Sequence, residues 1–387
     1  MPNPPRKSKR LLSHPIGYGL MLLAGVIIVG LITWPPQPPE ASSAPVAATA
    51  PPAPAAVDNS AVILIYHHFG KDSVPSTNIR LAQFDDQLDY LAENDFHVWS
   101  LSQLVTAFQN QTPIPDKTVV FTVDDAWISV YQEAIPRFKA RGWPMTVFVN
   151  TDAIDQGYRS SMTWEQMREV QGDGIEFVNH SRSHDPLIRR TDESDQAWRK
   201  RVREEVSGAQ QRLQAELGAE TNQTQLLSYP YGEFSEALAN LVKEMGYVGI
   251  AQNSGAVNRH SDLRALMRFP MSEAFADMEA FKQKVNAVVL PVENIDPFDP
   301  IIRDNPPHLT LSFTEPPGRN IQCFNPQGDR LQQQWLDDTT LEIWDENPIP
   351  PPRSRYACTQ PTQDGRWRWF SHSWVVPKAA SSGLQDD

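Results

Sequence analysis

Between Ser60 and about Val288, short apolar runs alternate with stretches whose apolar residues recur every three or four positions. AVILIYHHF, TVVFTV, MTVFVNT, IEFVNHS, QLLSYPYG and YVGIAQN belong to the first kind; their nearly unbroken apolar character predicts strands covered on both faces. FDDQLDYLAEN belongs to the second, with Phe84, Leu88 and Leu91 on one helical face, and TWEQMREVQ, SEALANLVKEMG and FADMEAFKQKVN repeat the pattern. Ile128, Tyr131, Ile135 and Phe138 also have helical spacing, but Pro136 removes an N–H and should kink or restart that helix. The longest helix is expected in DQAWRKRVREEVSGAQQRLQAELG, with Trp198, Val202, Val206, Leu213 and Leu217 turned inward. Strands alternating with amphipathic helices predict a parallel sheet covered by helices, open or closed into a barrel. In either case ligands gather at the carboxyl ends of the strands.

The flanks follow other patterns. Ile16 to Trp34 holds nineteen residues without a charge, preceded by Arg6, Lys7, Lys9 and Arg10. At about 1.5 Å per residue it spans roughly 28 Å, the hydrocarbon thickness of a bilayer. The basic flank should stay in the cytoplasm, so the remainder is exported. Pro35 to Ala56 has eight prolines in twenty-two residues and reads as a semi-extended tether of at most about 70 Å. Beyond about Ala287, PVENIDPFDPIIRDNPP reads as a connection. HLTLSF, NIQCF, TLEIW, YACTQ and RWRWFSHSWVV are short β pieces punctuated by turn residues. We divide the chain into a cytoplasmic basic segment (1–10), a transmembrane signal anchor (11–34), a Pro/Ala-rich linker (35–59), an α/β domain (60–288), a linker (289–306) and a small all-β, sandwich-like domain (307–380). The expected location is the inner membrane, with the large domain in the periplasm or outside the cell. Cleavage near APVAATA followed by secretion is the alternative.

Charge narrows the partners. The formal net charge of −13 leaves no basic footprint outside the N-terminus, which excludes nucleic acid as an expected partner. The only cysteines, Cys323 and Cys358, both fall in the β domain. In an exported domain a disulfide is their expected use, with a metal pair or two free thiols as alternatives.

Three motifs carry candidate chemistry, each at the end of an apolar strand. FTVDDAW places Asp124 and Asp125 side by side, where each resists ionisation of the other unless something offsets the repulsion. IEFVNHSRSHDPL places His180 and His184 four apart; two neutral imidazoles and a carboxylate can hold one divalent cation with positions left for water. LLSYPYGEFS ends a strand in Tyr229, Pro230, Tyr231 and Gly232, a turn able to expose a backbone N–H to a developing oxyanion. Alone, each is an ordinary loop, a pair of surface histidines or a plain turn. Their order along successive β-α units makes the set specific.

That ordered set, TVDDAW, HSRSH and YPYG, resembles the polysaccharide deacetylase (NodB homology) hydrolases of the fourth carbohydrate esterase family over roughly Ala61 to Val288. IYHHFGKDS, the helix around Phe84 to Leu91 and TWEQM look most like the branch acting on poly-β-1,6-N-acetylglucosamine. The resemblance implies a distorted (β/α) barrel. It implies Asp124 as catalytic base, Asp125, His180 and His184 as metal ligands, and the Tyr231 N–H as an oxyanion donor. The cofactor implied is one divalent metal ion, Zn2+ first, with Co, Ni, Mn or Fe as alternatives. The implied partners are an acetylated polysaccharide and, for an exported polymer, the export machinery.

The sequence also departs from the family pattern. The usual Gly after the aspartates is Ala126. The Arg many members carry before the Pro-Tyr-Gly turn is replaced by Ser228 and Tyr229, which leaves the partner of Asp124 unassigned and Arg268 as a candidate. The general-acid His near the domain end is absent from NAVVLPVENID. His67, at the end of the first strand, is the substitute we consider, while His68 should point away by alternation. Trp335, Trp344, Trp367, Trp369 and Trp374 in the β domain are expected mainly as core, with stacking on sugars as the alternative. The leading function is hydrolysis of N-acetyl groups on N-acetylglucosamine units. A degenerate carbohydrate-binding protein and a glycan O-acetyl esterase are the alternatives.

Overall fold

The structure, a computed structural model, describes residues 59–376. The basic segment, the anchor and nearly all of the Pro/Ala-rich tether lie outside the described residues. No helix among the described residues is long and apolar enough to cross a membrane.

Seven strands follow one another across the main sheet in the order Phe269–Pro270, Ala61–Tyr66, Thr118–Val123, Met145–Val149, Ile175–Asn179, Leu226–Ser228 and Val248–Ile250. His97–Trp99 pairs with the first half of Thr118–Val123, and every pairing in the sheet is parallel. The sheet curls back on itself: Ile250 bridges to Leu266, three residues before Phe269 pairs with Leu64. The segment Leu266–Pro270 therefore spans the gap between the last strand and the first, which gives the distorted barrel.

Side chains alternate across this wall. Val62, Leu64 and Tyr66 pack with Phe84, Leu88 and Leu91 of the helix Leu81–Glu93. Ala61 and Ile63 join Val120, Phe148, Val178, Ile250 and Leu266 in a second cluster with Leu101, Leu104 and Phe108. Pro136 acts as expected: a π-helical stretch, Val130–Ala134, ends, and the α-helix Ile135–Arg141 restarts with proline in its first turn. The long helix is Asp195–Leu217, and its five predicted inward residues are all buried. The strand His97–Trp99 and the helix Leu101–Gln109 are missing from the sequence reading. Only Ser100, which caps the helix by accepting from the Gln103 N–H, separates them, so neither runs long enough to show a period of its own.

The second domain packs two four-stranded sheets around Leu309, Leu311, Leu341, Ile343, Tyr356 and Trp374. Cys323 and Cys358 face each other on adjacent antiparallel strands and form a disulfide. The segment read as a linker is more structured than its composition suggests. Val292–Asp296 is an edge strand paired with His308–Phe313, and Val289, together with Val288, pairs with Arg368–Trp369. The strand Val292–Asp296 escaped notice because its side chains are partly or fully exposed and show no apolar alternation. Gln332–Trp335, exposed along most of its length, escaped for the same reason.

The β domain docks on the barrel. Trp369 meets Phe269 edge-on at 5.3 Å, and Ser373 Oγ donates to Asn253 Oδ1 at 2.7 Å. Of the five tryptophans, Trp374 is buried and Trp344 stacks on His308, while Trp335 packs on Phe313. Trp335, Trp344, Trp367 and Trp369 are half-buried, so the expectation that the five are mainly core holds only for Trp374.

Candidate active site

The three motifs leave the carboxyl ends of three strands of one sheet and converge. Asp124 and Asp125 follow Thr118–Val123, His180 follows Ile175–Asn179, and Tyr229 follows Leu226–Ser228. The backbone there occupies the left-handed region at Asp125 (φ +74°), Ala126 (+49°), Ser181 (+64°), His184 (+63°) and Tyr231 (+60°). Non-glycine residues rarely adopt this conformation, and it costs roughly 1–2 kcal/mol per residue. Such a concentration marks a constellation held by its surroundings. Gly232 (φ +70°) is required as well, because a Cβ there would lie 2.6 Å from Gln252 Cβ.

Asp125, His180 and His184 offer one ligand atom each, all within 4.8 Å of one another. Asp125 Oδ1 lies 3.3 Å from His184 Nε2 and 3.6 Å from His180 Nε2. That oxygen is buried and has no hydrogen-bond partner, whereas Oδ2 accepts from Trp127 Nε1 at 3.2 Å. His180 Nδ1 sits 2.9 Å from the Ser228 carbonyl, so this nitrogen carries the proton and Nε2 presents its lone pair. Burial takes the His180 imidazole down to about 3 and lowers His184 as well, keeping both neutral. Burial also pushes the Asp125 carboxyl up to about 6; His67 opposes this and Asp124 adds to it. An orphaned buried carboxylate oxygen facing two neutral ring nitrogens fits a divalent cation.

Asp124 has a different environment. Arg268 holds it in a two-point fork, Nη1 to Oδ1 at 2.7 Å and Nη2 to Oδ2 at 2.9 Å, with both residues fully buried. The same guanidinium donates to Thr122 Oγ1, Ser228 Oγ and the Ala251 carbonyl, and lies 5.4 Å from the Phe148 ring. Ser228 Oγ also donates to Asp124 Oδ2 at 3.2 Å. Burial alone would raise the Asp124 carboxyl, but the Arg268 charge overrides it and holds the group well below the usual carboxylate range. The pair is thus divided into an ionised carboxylate clamped by arginine and a second one left open toward the imidazoles. Ser228 was missed as a participant; its position at the strand end before the turn was the available signal.

A family model described as polysaccharide deacetylase matches residues 111–250. Over those residues the barrel is a polysaccharide deacetylase domain. A Bacillus subtilis protein named as a polysaccharide deacetylase is 25% identical over 211 residues, covering 54% of this chain and 71% of its own length. The poly-β-1,6-N-acetyl-D-glucosamine N-deacetylase of Escherichia coli K12 is 25% identical over 227 residues, 49% of this chain. That match spans only 33% of the E. coli protein. Among solved structures, a Streptococcus pyogenes deacetylase in complex with acetate superposes with a TM-score of 0.52 at 22% identity, covering 59% of this chain and 99% of that one. A de-N-acetylase from Aggregatibacter actinomycetemcomitans gives 0.50 at 19% identity, covering 58% and 100%. These two establish the fold.

Around this site, His67 leaves the first strand partly exposed, within electrostatic reach of Asp124 and Asp125. His68 is turned to Trp127, its ring stacked at 4.5 Å, one residue removed from the carboxylates. Tyr231 is 45% exposed and its ring meets His184 edge-on at 4.6 Å. The β domain reaches this turn: Arg353 Nη1 donates to the Tyr231 carbonyl at 2.8 Å, and its Nε lies 3.4 Å from Glu233 Oε1. Nothing in the sequence pattern signals that contact, which joins residues 122 apart.

Proposed function

We propose that this protein is a metal-dependent N-deacetylase that removes acetyl groups from N-acetylglucosamine units of an exported or cell-envelope polysaccharide. The observation that carries the reading is the contrast within the Asp124–Asp125 pair. One carboxylate is clamped and ionised by Arg268, and the other turns an unpartnered oxygen toward two neutral imidazoles. That is the division of labour amide hydrolysis needs, a fixed base beside a cation site. The similarity to enzymes named as N-deacetylases supports the choice of substrate.

Asp125, His180 and His184 would hold the cation, Zn2+ first on the donor set. When bound, it polarises the acetyl carbonyl and acidifies water. Asp124 takes the proton of the attacking water; its ionised state, fixed by Arg268, makes it available as base across the neutral range. Ser228 Oγ and Arg268 fix the carboxylate's orientation, so the proton is received at a defined oxygen. The Tyr231 N–H, on a turn held by Arg353, would face the developing oxyanion. His67 is the side chain we assign to protonate the departing amine. Tethered through 11–34, the enzyme would act outside the inner membrane, near export machinery.

The test is acetate release from β-1,6-linked N-acetylglucosamine oligomers by the purified chain supplied with zinc. Release that needs metal and is lost in Asp124→Asn supports the reading. Full activity in Asp124→Asn, or faster release from an O-acetylated sugar than from the amide, would overturn it.

A further inference from the structure

The catalytic turn borders a second feature. A cleft of about 280 Å³ opens between Tyr231–Phe234 and the β-domain strands Arg353–Pro361 and Trp367–Val375. Tyr231 is its shared wall: one side of the ring lies against His184 and the residue also lines the cleft. Arg353 pins the two domains together here by binding the Tyr231 carbonyl and Glu233, so the cleft keeps its place relative to the metal ligands.

Its chemistry is unusual for a domain seam. Arg355 lines it partly buried, and burial lowers the guanidinium. The Arg355 side chain forms no ion pair or hydrogen bond with the described residues, whereas Arg353, two residues earlier, forms both. A half-covered guanidinium without a protein partner keeps its donors open to a ligand. Glu233, Gln252 and Ser373 line the same space, so a carboxylate and neutral donors and acceptors share it with the guanidinium. Hydroxyl groups suit such a lining, since each donates to a carboxylate or amide oxygen and accepts from a guanidinium.

We propose that this cleft is a subsite for a neutral sugar unit of the polysaccharide next to the one that loses its acetyl group, with Arg355 as its principal donor. The inference rests on the proposed deacetylase activity and assigns the β domain a share in substrate binding. It also explains why the domain meets the barrel at the Pro230–Gly232 turn. Chain length should then matter to this enzyme, because only an oligomer reaching past Tyr231 fills the cleft.

The experiment uses the full chain with zinc and β-1,6-linked N-acetylglucosamine oligomers from dimer to hexamer. In the wild type, kcat/KM is expected to rise with length, and in Arg355→Met the hexamer-to-dimer ratio should fall about tenfold, with partial recovery in Arg355→Lys. A ratio unchanged in Arg355→Met overturns the subsite. If Arg355→Met fails to fold, Gln252→Ala is measured in the same way against the same criterion. Calorimetric binding of the hexamer to chelator-treated protein separates the two ideas. Weaker binding in Arg355→Met supports the subsite even if no acetate is released, and equal binding in both proteins overturns it even if deacetylation is established.

Discussion

Arg268 grips both oxygens of Asp124 from 144 residues further along the chain, at 2.7 and 2.9 Å, inside the barrel and out of contact with water. Lysine keeps the charge but offers a single point where arginine offers a planar fork. Arg268→Lys should therefore lower kcat by about 10- to 100-fold through loss of alignment, with zinc affinity nearly unchanged. Arg268→Met should be worse, destabilising by about 3–5 kcal/mol because it leaves a buried carboxylate unpaired. Steady-state kinetics with parallel urea unfolding separate the two effects, and wild-type kcat in Arg268→Lys would refute the positioning role.

The strand ends, the order of the three motifs and the inward face of the long helix were legible in the sequence, because each rests on local spacing. Arg268 was reachable only as a candidate. Its link to Asp124 depends on closure of the barrel by Leu266–Pro270, a two-residue pairing too short to leave a pattern. Arg353 and the edge strand Val292–Asp296 were out of reach for related reasons. One is a contact between domains, and the other is a strand whose exposed side chains imitate a linker. Local periodicity reports burial, and these features depend instead on what lies across a gap.

The cation site predicts coupling between binding and stability. Asp125 Oδ1, His180 Nε2 and His184 Nε2 converge without a bridging proton donor, so zinc should bind with one ion per chain and raise the unfolding free energy by about 2.7 kcal/mol at a hundredfold excess over Kd. His184→Ala should abolish most of that increment, and a chelator should reverse it in the wild type. Titration calorimetry and thermal unfolding with and without zinc read this out. An unchanged midpoint in the wild type on zinc addition would contradict the assignment.

Ala126 occupies a position whose backbone favours glycine: φ is +49° and the side chain is fully buried. Relief of left-handed strain by glycine is worth about 1 kcal/mol, and the added freedom of the unfolded chain takes back roughly 0.5–1 kcal/mol. Ala126→Gly should therefore be within about 0.5 kcal/mol of the wild type and active. Ala126→Val, with a β-branched side chain at the same φ, should be destabilised by more than 2 kcal/mol. Comparable stability of the valine variant, from urea midpoints, would mean the loop relaxes out of this conformation.

Arg353 links the β domain to the Pro230–Gly232 turn through the Tyr231 carbonyl. Its side chain is 46% exposed, so water competes for the bond and the effect should be moderate. Arg353→Ala is expected to lower kcat about 3- to 10-fold with zinc affinity intact, because the turn loses its anchor while the ligands keep theirs. A fall confined to stability, with kcat unchanged, would assign Arg353 to domain docking alone.

The loop after His184 is held from the long helix. Arg201 donates to the Pro186 and Ile188 carbonyls and forms a two-point pair with Glu193, both contacts at 2.8 Å. Hydrogen bonds from Arg201, set against a smaller opposing effect of burial, take the Glu193 carboxyl from its ordinary 4.5 down to about 2. The unfolded chain therefore binds this proton more readily than the folded one, and stability from the pair is complete above about pH 4.5 and lost as pH falls toward 2. The pair is largely covered, and Glu193→Gln should cost about 1–2 kcal/mol at pH 7. More than half of that difference should have gone by pH 3. Urea unfolding of both proteins at pH 7, 4 and 3 tests the sign directly: a gap that stays constant or widens on acidification would show that the carboxylate is not what holds the loop.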